Sequence, residues 1–300
     1  MRFLFSGSHV RSRCCIRPAV FAGVLCLAFP FFCPPPAEAQ VEVVGQLSND
    51  RYLQCEDIPV LMTIQNQTPW PVSFGKDGNA EITFRIERRP GQALSGSDEP
   101  VPVDPYTILA GRTATLEVEI SRIYDISRTG PYTMWPRVVH KKQTYRGRRM
   151  VMDIVPGLDV LTKKILFRQD DGVEKRSVSV RTISRENAQF AFLRVTNENG
   201  NLCYGLHELG RYLSTEKPII LGDSSGFIHV LHLSRPQRYT YGIHEVGGAA
   251  LERKFYTKQS SNASLQYNDE GDVLVLGVAR YEGDTTIQRP KAHRFNPFEP

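Results

Sequence analysis

Residues 81–88 read EITFRIER, and the alternation within that stretch decides the fold class. A spacing of two puts Ile82, Phe84 and Ile86 on one face and Glu81, Thr83, Arg85 and Glu87 on the other, the pattern of a half-buried strand. TATLEVEIS (113–121) repeats it, with Leu116, Val118 and Ile120 against Thr115, Glu117 and Glu119. IPVLMTIQN (58–66), TPWPVSF (68–74), YTMWPRVVH (132–140) and RRMVMDIV (148–155) supply further strands. Pro69, Pro71, Pro102, Pro105 and Pro136 sit where edges and turns tolerate them. No segment after the first 39 residues carries the periodicity of an amphipathic helix, so the chain reads as all-β.

Those first residues have a different character. Arg2, Arg11, Arg13 and Arg17 precede an apolar run from Ala19 to Phe32, and the small residues Ala37 and Ala39 follow. A basic start, a short apolar run and an A-x-A site describe a signal peptide over 1–39, cleaved near Ala39, and a secreted or periplasmic protein. The run is shorter than the roughly 20 residues that span a bilayer, and no later segment qualifies. Without the leader, 33 of the 37 Lys and Arg residues face 31 of the 32 acids, a net charge of +2. That balance argues against a global polyanion binder, and export argues against nucleic acid. Four of the six cysteines also leave, so only Cys55 and Cys203 remain. An oxidising compartment permits a bridge, but the two fall in different expected domains, which favours separate buried thiols.

At IYDISRTGPYTMW (123–135), Asp125, Gly130 and Tyr132 are spaced as in the corner that enters the sixth strand of immunoglobulin-like sandwiches. The chain resembles that family over about 115 residues. The resemblance implies a tyrosine hydroxyl bonded to upstream backbone over a two-sheet core. The paired core cysteines of antibody domains are missing, so Trp135 has no disulfide to pack on.

The second half repeats itself. FAFLRVTNENGNLCYGLHELG, from Phe190, aligns without a gap on FIHVLHLSRPQRYTYGIHEVG, from Phe227, and YG-x-HE-x-G recurs at Tyr204 and Tyr241. Each copy runs on into a strand–turn–strand signal, IILGDSSGFIHVL and SLQYNDEGDVLVLG, in which Gly226 corresponds to Gly271. Repeats of this kind suggest stacked β-meanders and resemble propeller blades, although a closed propeller needs about four or more. The expected organisation is a signal peptide (1–39), an immunoglobulin-like β-sandwich (40–169), a linker or connecting strand (170–186), a two-repeat blade-like antiparallel β-domain (187–284) and an extended tail (285–300). The whole resembles bacterial secreted proteins of that arrangement, which brings no known activity.

Candidate sites are few. His207, His229 and His244 offer imidazoles that neighbouring strands bring near one another. Within each copy, however, His and the following Glu face opposite ways and cannot chelate together. A repeated packing unit, with glycine allowing close backbone approach, explains the phrase better than a metal site, and no cofactor is expected. GDSSG resembles a serine-protease nucleophile loop, but the extra serine and the missing His and Asp contexts exclude it. HKKQTYRGRR (140–149) places Lys141, Lys142, Tyr145 and Arg148 on a hairpin tip. That tip could meet a protein or an envelope polysaccharide, though charged tips also guard exposed edges. Asn66 and Asn262 begin glycosylation sequons. These features describe an exported, non-catalytic binding or structural protein, with open sheet edges that could support a homo-oligomer. Two alternatives stand beside it. One is a carbohydrate-active or metal-dependent hydrolase with its site on the second domain. The other is an immunoglobulin-like protease inhibitor presenting the loop Arg89–Val103.

Overall fold

The computed structural model describes residues 40–169, 172–259 and 263–281; the expected leader and tail lie outside them. The described residues form strands and no helix. In the first half the strands are β1 (Val41–Leu47), β2 (Arg51–Leu53), β3 (Pro59–Asn66), β4 (Val72–Phe74), β5 (Ala80–Arg89) and β6 (Gln92–Ala93). They continue with β7 (Tyr106–Ile108), β8 (Thr113–Glu119), β9 (Gly130–His140), β10 (Gln143–Arg146) and β11 (Met150–Val155). One sheet runs β1-β3-β8; the facing one runs β2-β11-β9-β5-β6, with β10 also on β9 and β4-β7 as a short ribbon. β2 joins β11 in parallel, while the other pairs in these sheets are antiparallel. One core fills the space between the sheets. Ile82, Phe84 and Ile86 of β5 lie in it fully buried, beside Val60, Met62 and Ile64 of β3.

The Tyr132 ring is buried, and its hydroxyl donates to the Arg128 carbonyl at 2.7 Å, closing the corner before β9. Trp135 lies on the outer face of β9, with the Arg146 guanidinium 4.5 Å from its ring centre. The Arg89–Val103 stretch does not project. Leu94, Asp98 and Val101 donate backbone N–H to Ile86, Phe84 and Ile82, so the segment seals the free edge of β5. That seal buries Thr83 and Glu87 on the face expected to be solvated.

The second half contains β12 (Leu158–Gln169), β13 (Gly172–Arg185), β14 (Ala188–Asn197), β15 (Cys203–Arg211), β16 (Ile219–Gly222) and β17 (Ile228–Arg235). Then come β18 (Arg238–His244), β19 (Ala250–Lys258), β20 (Ser264–Tyr267), β21 (Val273–Leu276) and β22 (Val278–Arg280). β12-β13-β14-β15 is an antiparallel meander, and β16-β17-β18-β19 is another, extended by β22. Phe167, Val178, Val180, Leu193 and Val195 of the first share a core with Ile220, Ile228 and Val230 of the second. A separate cluster joins Leu231, Leu233, Tyr239 and Tyr241 to Leu265 of the β20–β21 hairpin. The aligned copies are the hairpins β14–β15 and β17–β18.

Three turns of this half, between β14 and β15, between β16 and β17 and between β20 and β21, share one chemistry. Asp223 and Asn268 each accept, on the side-chain oxygen, the N–H four residues on (Phe227 and Asp272), at 2.8 and 2.7 Å. Asn197 accepts likewise from Asn201, at 2.9 Å. Each turn closes on a glycine at positive φ, Gly200 (75°), Gly226 (86°) and Gly271 (87°), a conformation that side-chain-bearing residues rarely adopt.

The two halves meet around Leu53, which packs with Ile183 and Phe192. Arg185 of β13 reaches across, donating to the Arg51 carbonyl at 3.0 Å and pairing with the Glu56 carboxylate. Burial raises the Glu56 pKa, and Arg185 opposes that shift. The cysteines are not separate buried thiols. Cys55 is exposed, Cys203 is half-buried, and their side chains face each other across this seam.

Candidate functional site

The basic hairpin tip is built on β9 and β10. His140 pairs with Gln143, leaving Lys141 and Lys142 as a two-residue turn. Both lysines have positive φ, 49° and 68°. Two-residue hairpin turns with both central φ angles positive suit the right-handed twist of strands, but Asn and Gly normally fill them. Each lysine there costs about 1 kcal/mol in Cβ–carbonyl crowding. Lys141 bends back so that its ammonium sits 4.4 Å from the centre of the Trp70 ring. Trp70 is 58% exposed, although its backbone is pinned. Asn66 Nδ2 and Thr68 Oγ1 both donate to the Trp70 carbonyl at 2.8 Å. Asn66 is fully buried and its amide nitrogen also serves Ile108, so the sequon there is structural and closed to glycosylation. The Asn262 sequon lies outside the described residues.

Farther down β10, Tyr145 packs on the core and its hydroxyl donates to Gln143 Oε1 at 2.7 Å. Arg148 and Arg149 are exposed between β10 and β11. Among the described residues, no ion pair engages Lys141, Lys142, Arg146, Arg148 or Arg149. The tip thus sets the Lys141 ammonium over an exposed indole, with Lys142 beside it in the turn. Spacing could locate the cations; it gave no sign that Trp70, more than seventy residues upstream, completes the group.

The three histidines do not form one site. His207 reaches the Gly247 carbonyl at 3.3 Å. His244 is 1% exposed and bonds through Nδ1 to the Gly248 carbonyl at 2.9 Å. Burial, ahead of the neighbouring charges, lowers its pKa to about 4, so it is neutral at ordinary pH. Each of these two imidazoles folds over the glycine two residues earlier on the same strand face. A Cβ on Gly205 would fall 2.6 Å from His207 Nε2, and one on Gly242 would fall 2.6 Å from His244 Nε2. The recurring unit is therefore G-x-H, a ring laid in a space that only glycine leaves open.

His229 sits elsewhere, in β17, between Asp223 and Tyr241. Its Nε2 is 2.9 Å from Asp223 Oδ2, and its Nδ1 is 2.6 Å from the Tyr241 hydroxyl. An ionised carboxylate only accepts, so Nε2 carries the proton. Burial pushes the Tyr241 pKa up to about 12, so the phenol keeps its proton and donates to Nδ1. The Asp223–His229–Tyr241 chain borders a cleft of about 460 Å³ that is also lined by Leu251, Glu252, Lys254 and Asp272. In this arrangement both imidazole nitrogens are engaged within the chain, Nε2 by Asp223 and Nδ1 by Tyr241. Asp223 and Tyr241 went unnoticed in the sequence because one read as a turn residue and the other as packing. Among the described residues, no three His, Cys, Asp or Glu side chains are grouped to hold a metal.

No family model matches the chain, and no curated protein matches it. Among solved structures it is similar to the YadV chaperone, at 11% identity and a TM-score of 0.23, covering 71% of this chain and 98% of that one. It is also similar to the periplasmic chaperone SfaE, at 11% identity and a TM-score of 0.23, covering 71% of this chain and 97% of that one.

Proposed function

We propose that this chain is an exported, non-catalytic binding protein that takes an anionic polysaccharide of the cell envelope on the Lys141–Lys142 tip. In this reading an immunoglobulin-like sandwich ends near Val155, and β12 opens a two-repeat module that serves as its support. The observation that carries the reading is the pair of adjacent lysines at φ 49° and 68°, beside a pinned and exposed Trp70. A turn that merely joined two strands would be more stable with Asn-Gly. Strain retained at an exposed position points to a use for the side chains. Cations attract uronate or phosphate groups, and an exposed indole face offers a flat apolar surface for a sugar ring. The separation of the three histidines, with His207 and His244 each packed over its own glycine, weighs against the hydrolase reading.

The test is calorimetric titration with polygalacturonate at low and high salt, comparing the wild type with Lys141→Asn/Lys142→Gly. The variant is expected to fold at least as stably, because Asn and Gly relieve the strain, yet to bind about tenfold more weakly. Binding should also weaken as salt rises. Equal affinity in the two proteins, or no binding by the wild type at low salt, overturns the proposal.

A further inference from the structure

Cys55 and Cys203 are the only cysteines beyond residue 39, and their side chains face each other across the seam between the halves. Both are held rigidly. Cys55 occupies the third position of a turn closed by the Glu56 N–H on the Leu53 carbonyl at 3.1 Å. On one side of it Leu53 is buried against Ile183 and Phe192, and on the other Glu56 is gripped by Arg185. Cys203 opens β15, with its sulfur 3.6 Å from the Gly205 carbonyl oxygen.

The backbone at Cys55 adds a second observation. Its φ is 74°, a value that the third position of such a turn usually gives to Gly or Asn. A cysteine is retained there at a conformational cost, with its thiol turned to the other cysteine. Arg194 stands beside both sulfurs. The hydrogen bond from Cys55, followed by Arg194, lowers Cys203 to about 6, while the same contact pushes Cys55 up. Cys203 is therefore the readier of the two to ionise, and the thiolate is the form that exchanges with disulfides. Cys55 is exposed, so an oxidant in solution can reach the pair.

We propose that Cys55 and Cys203 are a disulfide site that fastens the Leu53–Glu56 turn of the first half to β15 of the second. The oxidant is a disulfide, either oxidised glutathione or a disulfide oxidoreductase. The Cys203 thiolate attacks one oxidant sulfur, the oxidant S–S bond breaks, and a thiolate leaves and is protonated. Cys55, deprotonated in turn, attacks the Cys203 sulfur of the mixed disulfide and expels the second thiolate. The two cysteines lose two electrons and two protons, and the oxidant becomes two thiols. The bond itself rests on the geometry; its formation in the cell also rests on the export reading.

Two arms separate those dependencies. The full-length chain is expressed with its leader, its free thiols are alkylated on lysis, and non-reducing peptide mapping looks for a Cys55–Cys203 crosslink. In parallel, reduced protein is equilibrated with oxidised glutathione and mapped in the same way, with Cys55→Ser as the control. The expected result is the crosslink in both arms and, for the oxidised wild type alone, a higher denaturation midpoint than the reduced form. A crosslink in the glutathione arm with fully alkylated thiols from cells keeps the site and overturns the export reading. Two alkylatable thiols, or glutathione adducts without a crosslink, after equilibration overturn the disulfide.

Discussion

Replacing Gly242 by alanine tests whether the twice-written phrase is a packing device. The new Cβ would lie 2.6 Å from His244 Nε2 and 3.4 Å from its Cδ2, so the ring must retreat by several tenths of an ångström. The ring has little room, being 1% exposed and tied through Nδ1 to the Gly248 carbonyl at 2.9 Å. Overpacking of this kind costs about 1–3 kcal/mol, and loss of the buried hydrogen bond about 1 more. A total near 3 kcal/mol would lower Tm by about 6–12 °C in a protein of this size. In a His244→Ala background the three nearest atoms, all of the His244 ring, are gone, and the same change should be neutral or stabilising by up to about 1 kcal/mol. Urea unfolding of the two single variants and the double variant gives the coupling, expected to exceed about 2 kcal/mol. Additivity within about 0.5 kcal/mol would refute the ring-over-glycine account. The other copy must behave differently. A Cβ on Gly205 would meet the Gly247 carbonyl as well as His207 Nε2, so Gly205→Ala should be the more damaging change and His207→Ala should not rescue it.

Two further outcomes follow from burial and from the corner. Burial lowers the pKa of His232 and His244 to about 4 from the ordinary 6.5, so the folded state stays neutral where the unfolded chain takes up protons. Their contribution is complete above pH 6.5 and declines as pH falls towards 4, by up to about 3 kcal/mol per histidine; urea midpoints that stay flat from pH 6.5 to 5 would contradict this. Tyr132→Phe removes the hydroxyl that serves the Arg128 carbonyl while keeping the ring, and should cost about 1–2 kcal/mol in equilibrium unfolding with an unchanged m-value.

What could be read in advance was whatever repeats at short range. Ile82, Phe84 and Ile86 declare their face by alternation, and all three are buried in the core. Gly226 and Gly271 could be matched by position alone, and their turns share the same Asx hydrogen bonds. The resemblance carried by Asp125, Gly130 and Tyr132 implied the bond of Tyr132 to upstream backbone, and that bond is present. What could not be read was whatever depends on two distant segments meeting. The contact of Cys55 with Cys203, the grip of Arg185 on Glu56, and Trp70 beneath Lys141 have no periodic signature. The burial of Thr83 and Glu87 was missed for the same reason, since it depends on a loop folding back over β5. His229 lies six residues from Asp223, but the two face each other only because a hairpin reverses the chain between them.

The seam between the halves also sets a clock. Arg185 closes onto the Arg51 carbonyl across 134 positions of chain. At the usual synthesis rate of about 5–20 residues per second, the Leu53 turn is made roughly 7–27 seconds before its partner strand exists. During that interval the sandwich can already have closed its own core, while an apolar side chain, a carboxylate and a thiol wait uncovered at its rim. The newborn first half therefore passes through a period as an incomplete surface. Any factor that shields or oxidises this rim too early would compete with the arrival of β13.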